Sequence, residues 1–213
     1  MAAFRVPEPG RGRFSPARRL GLPAMLALLI AAPLAAQERP IIMIDPGHGG
    51  PEAGVTVDQL LEKDLVLRLA FTTAAEFVRA GYDVRLTRTG DYPVAGAERR
   101  AQAEAAGAAL LLSLHMIRSD DPNRHGAEIY FNEGEASSVR GAGIFAQAME
   151  EDGIAVVQMA RQGAFLASPT VPTIMVEAGF LTHPVERRVL VAEPYHRRLA
   201  AIFVEATDRF LGR

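Results

Sequence analysis

Residues 41–50 read IIMIDPGHGG: four apolar residues run into Asp45, Pro46, three glycines and His48. The apolar tetrad has the length and composition of a short buried strand. Glycines admit tight turns and close backbone approach. A loop that only had to turn would need one or two of them, and it would have no use for an imidazole. The stretch therefore reads as a buried strand that delivers a histidine to its carboxyl end, the opening unit of an α/β domain.

Outward from it, apolar runs alternate with helix-like segments. Glu62-Lys63-Asp64 places acidic residues at the positive end of a helix dipole, and the helix runs through LVLRLAFTTAAEFVRA to stop at Gly81. Residues 82–87 (YDVRLT) alternate like a strand. Residues 98–106 (ERRAQAEAA) form a short helix closed by Gly107, and residues 109–115 (ALLLSLH) make a continuous apolar strand of a sheet centre. Residues 126–131 (GAEIYF) give another strand, 137–151 a helix, 173–177 a strand and 195–211 a terminal helix. The expected architecture is α/β: a single domain with an open, mostly parallel twisted sheet and helices on both faces.

The 213 residues, 49% of them hydrophobic, suit one domain with a sizeable core. The first thirty-six residues stand apart. Arg5, Arg11, Arg13, Arg18 and Arg19 precede the apolar run Leu20 to Ala36, which turns polar at Gln37. This is the form of a signal peptide cleaved near Ala36, leaving a mature domain over 37–213 in the periplasm or outside the cell. The apolar run also approaches the roughly 17 residues that span a bilayer, so a retained anchor is the competing reading. Arg18-Arg19 admits a twin-arginine route beside the general secretory one. Removing the leader removes five arginines, so the mature domain is more acidic than the whole-chain charge of -2 indicates. No basic stripe is left for nucleic acid. Cysteine is absent, which excludes disulfides, thiol hydrolysis and Cys-ligated zinc. Any metal must sit on histidine and carboxylate.

Three polar groups fall where a strand gives way to a loop: His48, His115 and Glu177. Ligands of open α/β sheets bind outside the carboxyl ends of the strands, so the three share a crevice if their strands are parallel neighbours. Glu62, in the first turn of the next helix, is the fourth candidate. Two histidines and a glutamate complete the protein ligand set of a catalytic zinc, and Glu177 is then free to move protons for amide hydrolysis. Each residue also has an ordinary explanation. A lone histidine is usually a satisfied polar residue, and a Glu-Lys-Asp run usually a solvated helix start. His115 and Glu177 end apolar runs that ought to be buried, where a charge needs a partner. His125, His183 and His196 read as structural or exposed. Asp45 reads as an acceptor that orients His48 from behind. Manganese, cobalt or iron could take the same ligands.

Taken in order, IDPGHGG (44–50), LEKDLVLRLA (61–70), GYDVRLTR (81–88), the ER and A pattern at 98–105, LLLSLH (110–115), GAEIYF (126–131) and PTIMVEAGFLTHPVE (172–186) resemble the zinc-dependent N-acetylmuramoyl-L-alanine amidases of bacterial cell-wall turnover, the group that includes the cell-separation amidases. The resemblance implies one zinc per chain on His48, Glu62 and His115, with Glu177 as the catalytic carboxylate. It implies peptidoglycan or muropeptides as substrate, cut between N-acetylmuramic acid and L-alanine, by a monomer with a possible activator protein at the division site. The chain departs from the family at Met116-Ile117, where Ala-Asn or Ala-Asp is usual, and at FLTHP (180–184), in place of the usual Ser-Asn-Pro ending. The stretch between Phe131 and Ala164 is short for an inserted covering helix, so a lightly gated site is expected. Two alternatives share the fold: a catalytically silent peptidoglycan-binding or regulatory domain, and a zinc peptidase acting on stem peptides.

Overall fold

The computed structural model describes residues 39–121, 123–160, 165 and 170–213. The proposed signal peptide lies outside the described residues. Among those described, no helix is long and apolar enough to cross a membrane.

Among the described residues, eight strands and five helices follow one another from β1 (Ile41–Pro46) through β2 (Thr56–Val57), β3 (Leu60–Leu61), α1 (Glu62–Arg79), β4 (Asp83–Leu86), α2 (Gly96–Ala106) and β5 (Leu110–Ile117). The chain continues with β6 (Ala127–Phe131), α3 (Ala136–Glu151), β7 (Val156–Ala160), β8 (Thr173–Phe180), α4 (Pro184–Leu190) and α5 (Glu193–Leu211). Six strands form one sheet in the order β4-β1-β5-β8-β6-β7. All neighbours run parallel except β6 against β8. The expected open, mostly parallel sheet is what forms.

Alternation along the central strands distributes side chains to the two faces. Ile42, Ile44, Leu110, Leu112 and Leu114 join the large core with α1, α3 and α5, whereas Met43 and Leu111 meet Ala103 of α2 and Val171 in a thin cluster opposite. Helix α1 buries Leu65, Val66, Leu69, Ala70, Thr73 and Phe77, spaced three and four apart so that they make one stripe. Its partner α5 buries Leu199, Phe203 and Phe210, and Phe203 stacks on Phe145 of α3 at 6.0 Å between ring centroids. Helix α2 ends on Gly107 in the left-handed conformation, φ 63°, which closes a helix at no steric cost.

Three elements escape the sequence reading: the β2–β3 hairpin, the edge strand β7 and the short helix α4. Strands β5 and β8 also run on past their expected ends, because apolar residues continue beyond them as Met116-Ile117 and Ala178-Gly179-Phe180. His115 and Glu177 therefore lie inside strands, paired with each other across the sheet just before a register shift between His115 and Ile117.

His196 of α5 is buried, with Nε2 2.7 Å from the Leu190 carbonyl oxygen. Burial pushes its imidazole below the ordinary value, and Arg68 adds to the effect. The native state thus refuses a proton that the unfolded chain accepts. Stability from this group is full above roughly pH 6.5 and is lost as pH falls towards the lowered native pKa. Denaturant titrations from pH 7.5 down to 5 should show this loss, and His196→Gln should flatten the slope in that window.

Candidate metal centre

Strands β1, β5 and β8 are adjacent and parallel, so their carboxyl ends open onto one rim. A cleft of about 1160 Å³ lies there, and His48, Glu62, His115 and Glu177 all line it. Among the described residues, His48, Glu62 and His115 are the group of three potential ligands whose donor atoms all lie within 4.8 Å of one another. The two imidazoles meet edge to face, 4.8 Å between centroids at 77°.

Each side chain is brought in by a different device. His48 follows β1 in the glycine loop and holds a left-handed backbone, φ 57°, unusual for a residue other than glycine. Gly47 backs onto the His115 ring, and any Cβ there would run into the imidazole. Gly54, at φ +69°, leaves the space that the Glu62 carboxylate and the His48 ring occupy. Glu62 opens α1 directly after β3, and its amide donates to the carbonyl of Val55, the residue before β2, at 2.9 Å. The acidic helix start is thus divided: Asp64 faces solvent while Glu62 is only 1% exposed.

Glu62 Oε1 lies 3.1 Å from both His48 Nε2 and His115 Nδ1 and accepts from the Met116 amide at 2.9 Å. Its Oε2 accepts from the Val55 amide at 2.7 Å. Burial by itself would push this carboxyl up. The bonds to His115 and His48, with help from the Val55 amide, outweigh it and hold Glu62 well below the usual carboxylate range. A buried anion with an imidazole on each side fits a divalent cation: oxygen and two nitrogens converge, and the carboxylate carries no proton to compete.

Glu177 stands opposite His115 on β8 and opposite Glu128 on β6. It is partly exposed to the cleft, unlike Glu62. This arrangement offers a cation pocket beside a carboxylate that water can reach, which is the equipment for hydrolysis of an amide.

Asp45 lies behind the pocket and is fully buried. Its carboxylate accepts from Thr87 Oγ1 at 2.5 Å, Arg99 Nη1 at 2.6 Å and Ser113 Oγ at 2.7 Å. It reaches His48 through the backbone rather than the ring, because Arg99 Nη2 also donates to the His48 carbonyl at 2.7 Å. A second buried guanidinium, Arg88, donates to the Pro46 and Gly47 carbonyls at 2.9 and 2.7 Å. Both arginines belong to the TR and ER pairs quoted above, but their sequence gives no sign that they turn inward. His125 is exposed, His183 caps α4 by accepting from the Glu186 amide, and His196 is buried in α5. None of the three joins the pocket.

Known proteins resemble this chain in sequence and in fold. The family model of the N-acetylmuramoyl-L-alanine amidases matches residues 42–209. AmiC of Neisseria meningitidis serogroup B is 24% identical over 262 aligned positions that take in 100% of this chain and 57% of the relative. The chain thus spans little more than half the length of that protein. AmiA of Salmonella typhimurium is 28% identical, with 75% of this chain and 72% of the relative covered. Among solved structures, the N-acetylmuramoyl-L-alanine amidase AmiC2 of Nostoc punctiforme superposes with a TM-score of 0.75 at 27% identity, over 82% of this chain and 98% of that one. The chain belongs to the N-acetylmuramoyl-L-alanine amidase family, hydrolases of a peptidoglycan amide bond.

Proposed function

We propose that the protein is a zinc-dependent amidase that cuts between the lactyl group of N-acetylmuramic acid and the L-alanine of the stem peptide, in cell-wall turnover or daughter-cell separation. The observation that carries the proposal is the placement of Glu177 directly across the sheet from His115, beside the convergent His48 and Glu62. His48, Glu62 and His115 would hold one zinc. When bound, zinc supplies a Lewis acid that polarises a carbonyl and lowers the pKa of water towards neutrality.

Glu177 takes the proton of the attacking water as its oxygen bonds to the amide carbon. The carbon–nitrogen bond then breaks, and the proton passes from Glu177 to the departing nitrogen. The products are a lactyl carboxylate and a peptide with a free L-alanine amino terminus. Glu62 takes no part in proton transfer, since its bonds keep it ionised. The basic, then apolar, then small-residue composition of residues 1–36 supports export to the periplasm or beyond. The unit proposed is a monomer whose cleft admits substrate without an activator.

Glu177→Gln should reduce hydrolysis about 10²- to 10⁴-fold with zinc still bound. Metal analysis beside muropeptide chromatography checks both halves. Release of peptides lacking L-alanine at the amino terminus would instead identify a stem-peptide peptidase. Chelation should abolish activity and added zinc restore it; a chelator-resistant activity would contradict the metal assignment. Asp45→Asn should weaken zinc binding about 10- to 100-fold by loosening the loop behind His48. His48→Ala should prevent binding in the same competition titration. The chain from Gln37 onward should cleave purified peptidoglycan alone, and a strict need for an added partner protein would refute the lightly gated site.

A further inference from the structure

Among the described residues, three cationic side chains line the cleft, and they differ in what remains of their donors. Arg99 is committed to Asp45 and to backbone carbonyls. Arg118 is exposed, and its contact is the still more exposed Asp120 at 3.6 Å. Arg124 is of another kind. Its Nη2 donates to Glu128 Oε1 at 2.6 Å, and its guanidinium carbon lies 5.0 Å from the centroid of the buried Phe180 ring. The side chain is still 53% exposed, whereas that of Glu128 is 6% exposed and also accepts from the Tyr130 hydroxyl at 2.7 Å. Arg124 is therefore pinned from two sides while about half of its five-donor side chain stays open to solvent. The rotamer freedom that a free surface arginine gives up on binding is already spent.

We infer that Arg124, anchored by Glu128, is a specificity residue that receives a carboxylate of the peptide arm of the substrate. The inference rests on the cleft being the amide-cutting site proposed above. A planar guanidinium matches a carboxylate through two parallel hydrogen bonds. Of the two arms that meet at the scissile amide, the sugar arm presents hydroxyl and acetamido groups. The peptide arm is the one that ends in a carboxylate. Glu128 lies in register with Glu177, so the residue that Arg124 holds is the neighbour across the sheet of the proposed general base. An anion held there fixes the direction in which the peptide leaves.

The test compares a muropeptide having free peptide carboxylates with the same molecule whose carboxylates are converted to primary amides. In the wild-type protein, amidation should lower kcat/KM about 10- to 100-fold, chiefly through KM. Arg124→Ala should lose that factor on the free acid and no longer discriminate, with zinc content unchanged. Arg124→Lys should keep part of the preference. The double variant Arg124→Ala/Glu128→Gln carries no unpaired buried charge and should behave as Arg124→Ala does. Calorimetric binding of both ligands to the Glu177→Gln protein reads the same preference without turnover. Equal binding of acid and amide, or a preference that survives Arg124→Ala, overturns the inference. Preferential binding of the acid by the Glu177→Gln protein, while the zinc-loaded wild-type protein cleaves neither compound, leaves Arg124 assigned and refutes the amidase reading instead.

Discussion

The buried ion pair between Asp45 and Arg99 is the constraint on which the rest of the site depends. It ties four segments at one point: the end of β1 through Asp45, the residue after β4 through Thr87, the middle of β5 through Ser113, and α2 through Arg99. Neither charge would tolerate loss of the other, since an uncompensated buried charge costs about 3–5 kcal/mol. The pair then passes its rigidity forward. Arg99 holds the Pro46 and His48 carbonyls, and those bonds keep His48 in a backbone conformation it would not choose. The strain at His48 is thus offset by hydrogen bonds from a residue far along the chain, a pattern common where side-chain placement matters more than local comfort.

Burial sets Glu62 and Glu177 apart among the glutamates of the cleft. Glu62 is enclosed and saturated, with two backbone amides and two imidazoles on its oxygens. A carboxylate held so firmly in its charged form makes a good cation ligand and a poor proton carrier. Glu177 sits where water can approach. The same residue type serves two ends because the helix start encloses one copy and the strand leaves the other at the cleft wall. Met116, where the family more often has alanine, contributes its backbone amide to Glu62, so the substitution leaves this contact intact.

The sequence made His48, His115 and Glu177 legible because each interrupts an apolar run at the functional end of a sheet, a position where polarity needs a reason. Glu62 was legible only in company, since an acidic helix start is ordinarily solvated. What stayed hidden is of two kinds. Strands of two residues, such as β2 and β3, are too short to display alternation, and β7 and α4 are little better. Arg88, Arg99 and Glu128 are buried against the usual behaviour of their types. Their partners are tertiary: Arg99 and Asp45 are 54 residues apart in sequence. Asp45 was readable as a support for His48, but its route through a guanidinium and a backbone carbonyl was not.

Sheet topology explains why the cleft has a second wall at all. From β1 the chain pairs β4 on one side and β5 on the other, so the loops leaving β1 and β5 diverge and open a crevice at their carboxyl ends. His48 and His115 occupy that crevice. Were β6 parallel to β8, its first residues would lie at the opposite edge of the sheet, far from His48, Glu62 and His115. Because it runs antiparallel, the start of β6 meets the end of β8, and Glu128 comes level with Glu177. The loop before β6 then brings Arg124 to the same rim. One antiparallel pairing, β8 against β6, in an otherwise parallel sheet thus converts a two-histidine crevice into a cleft with a charged wall.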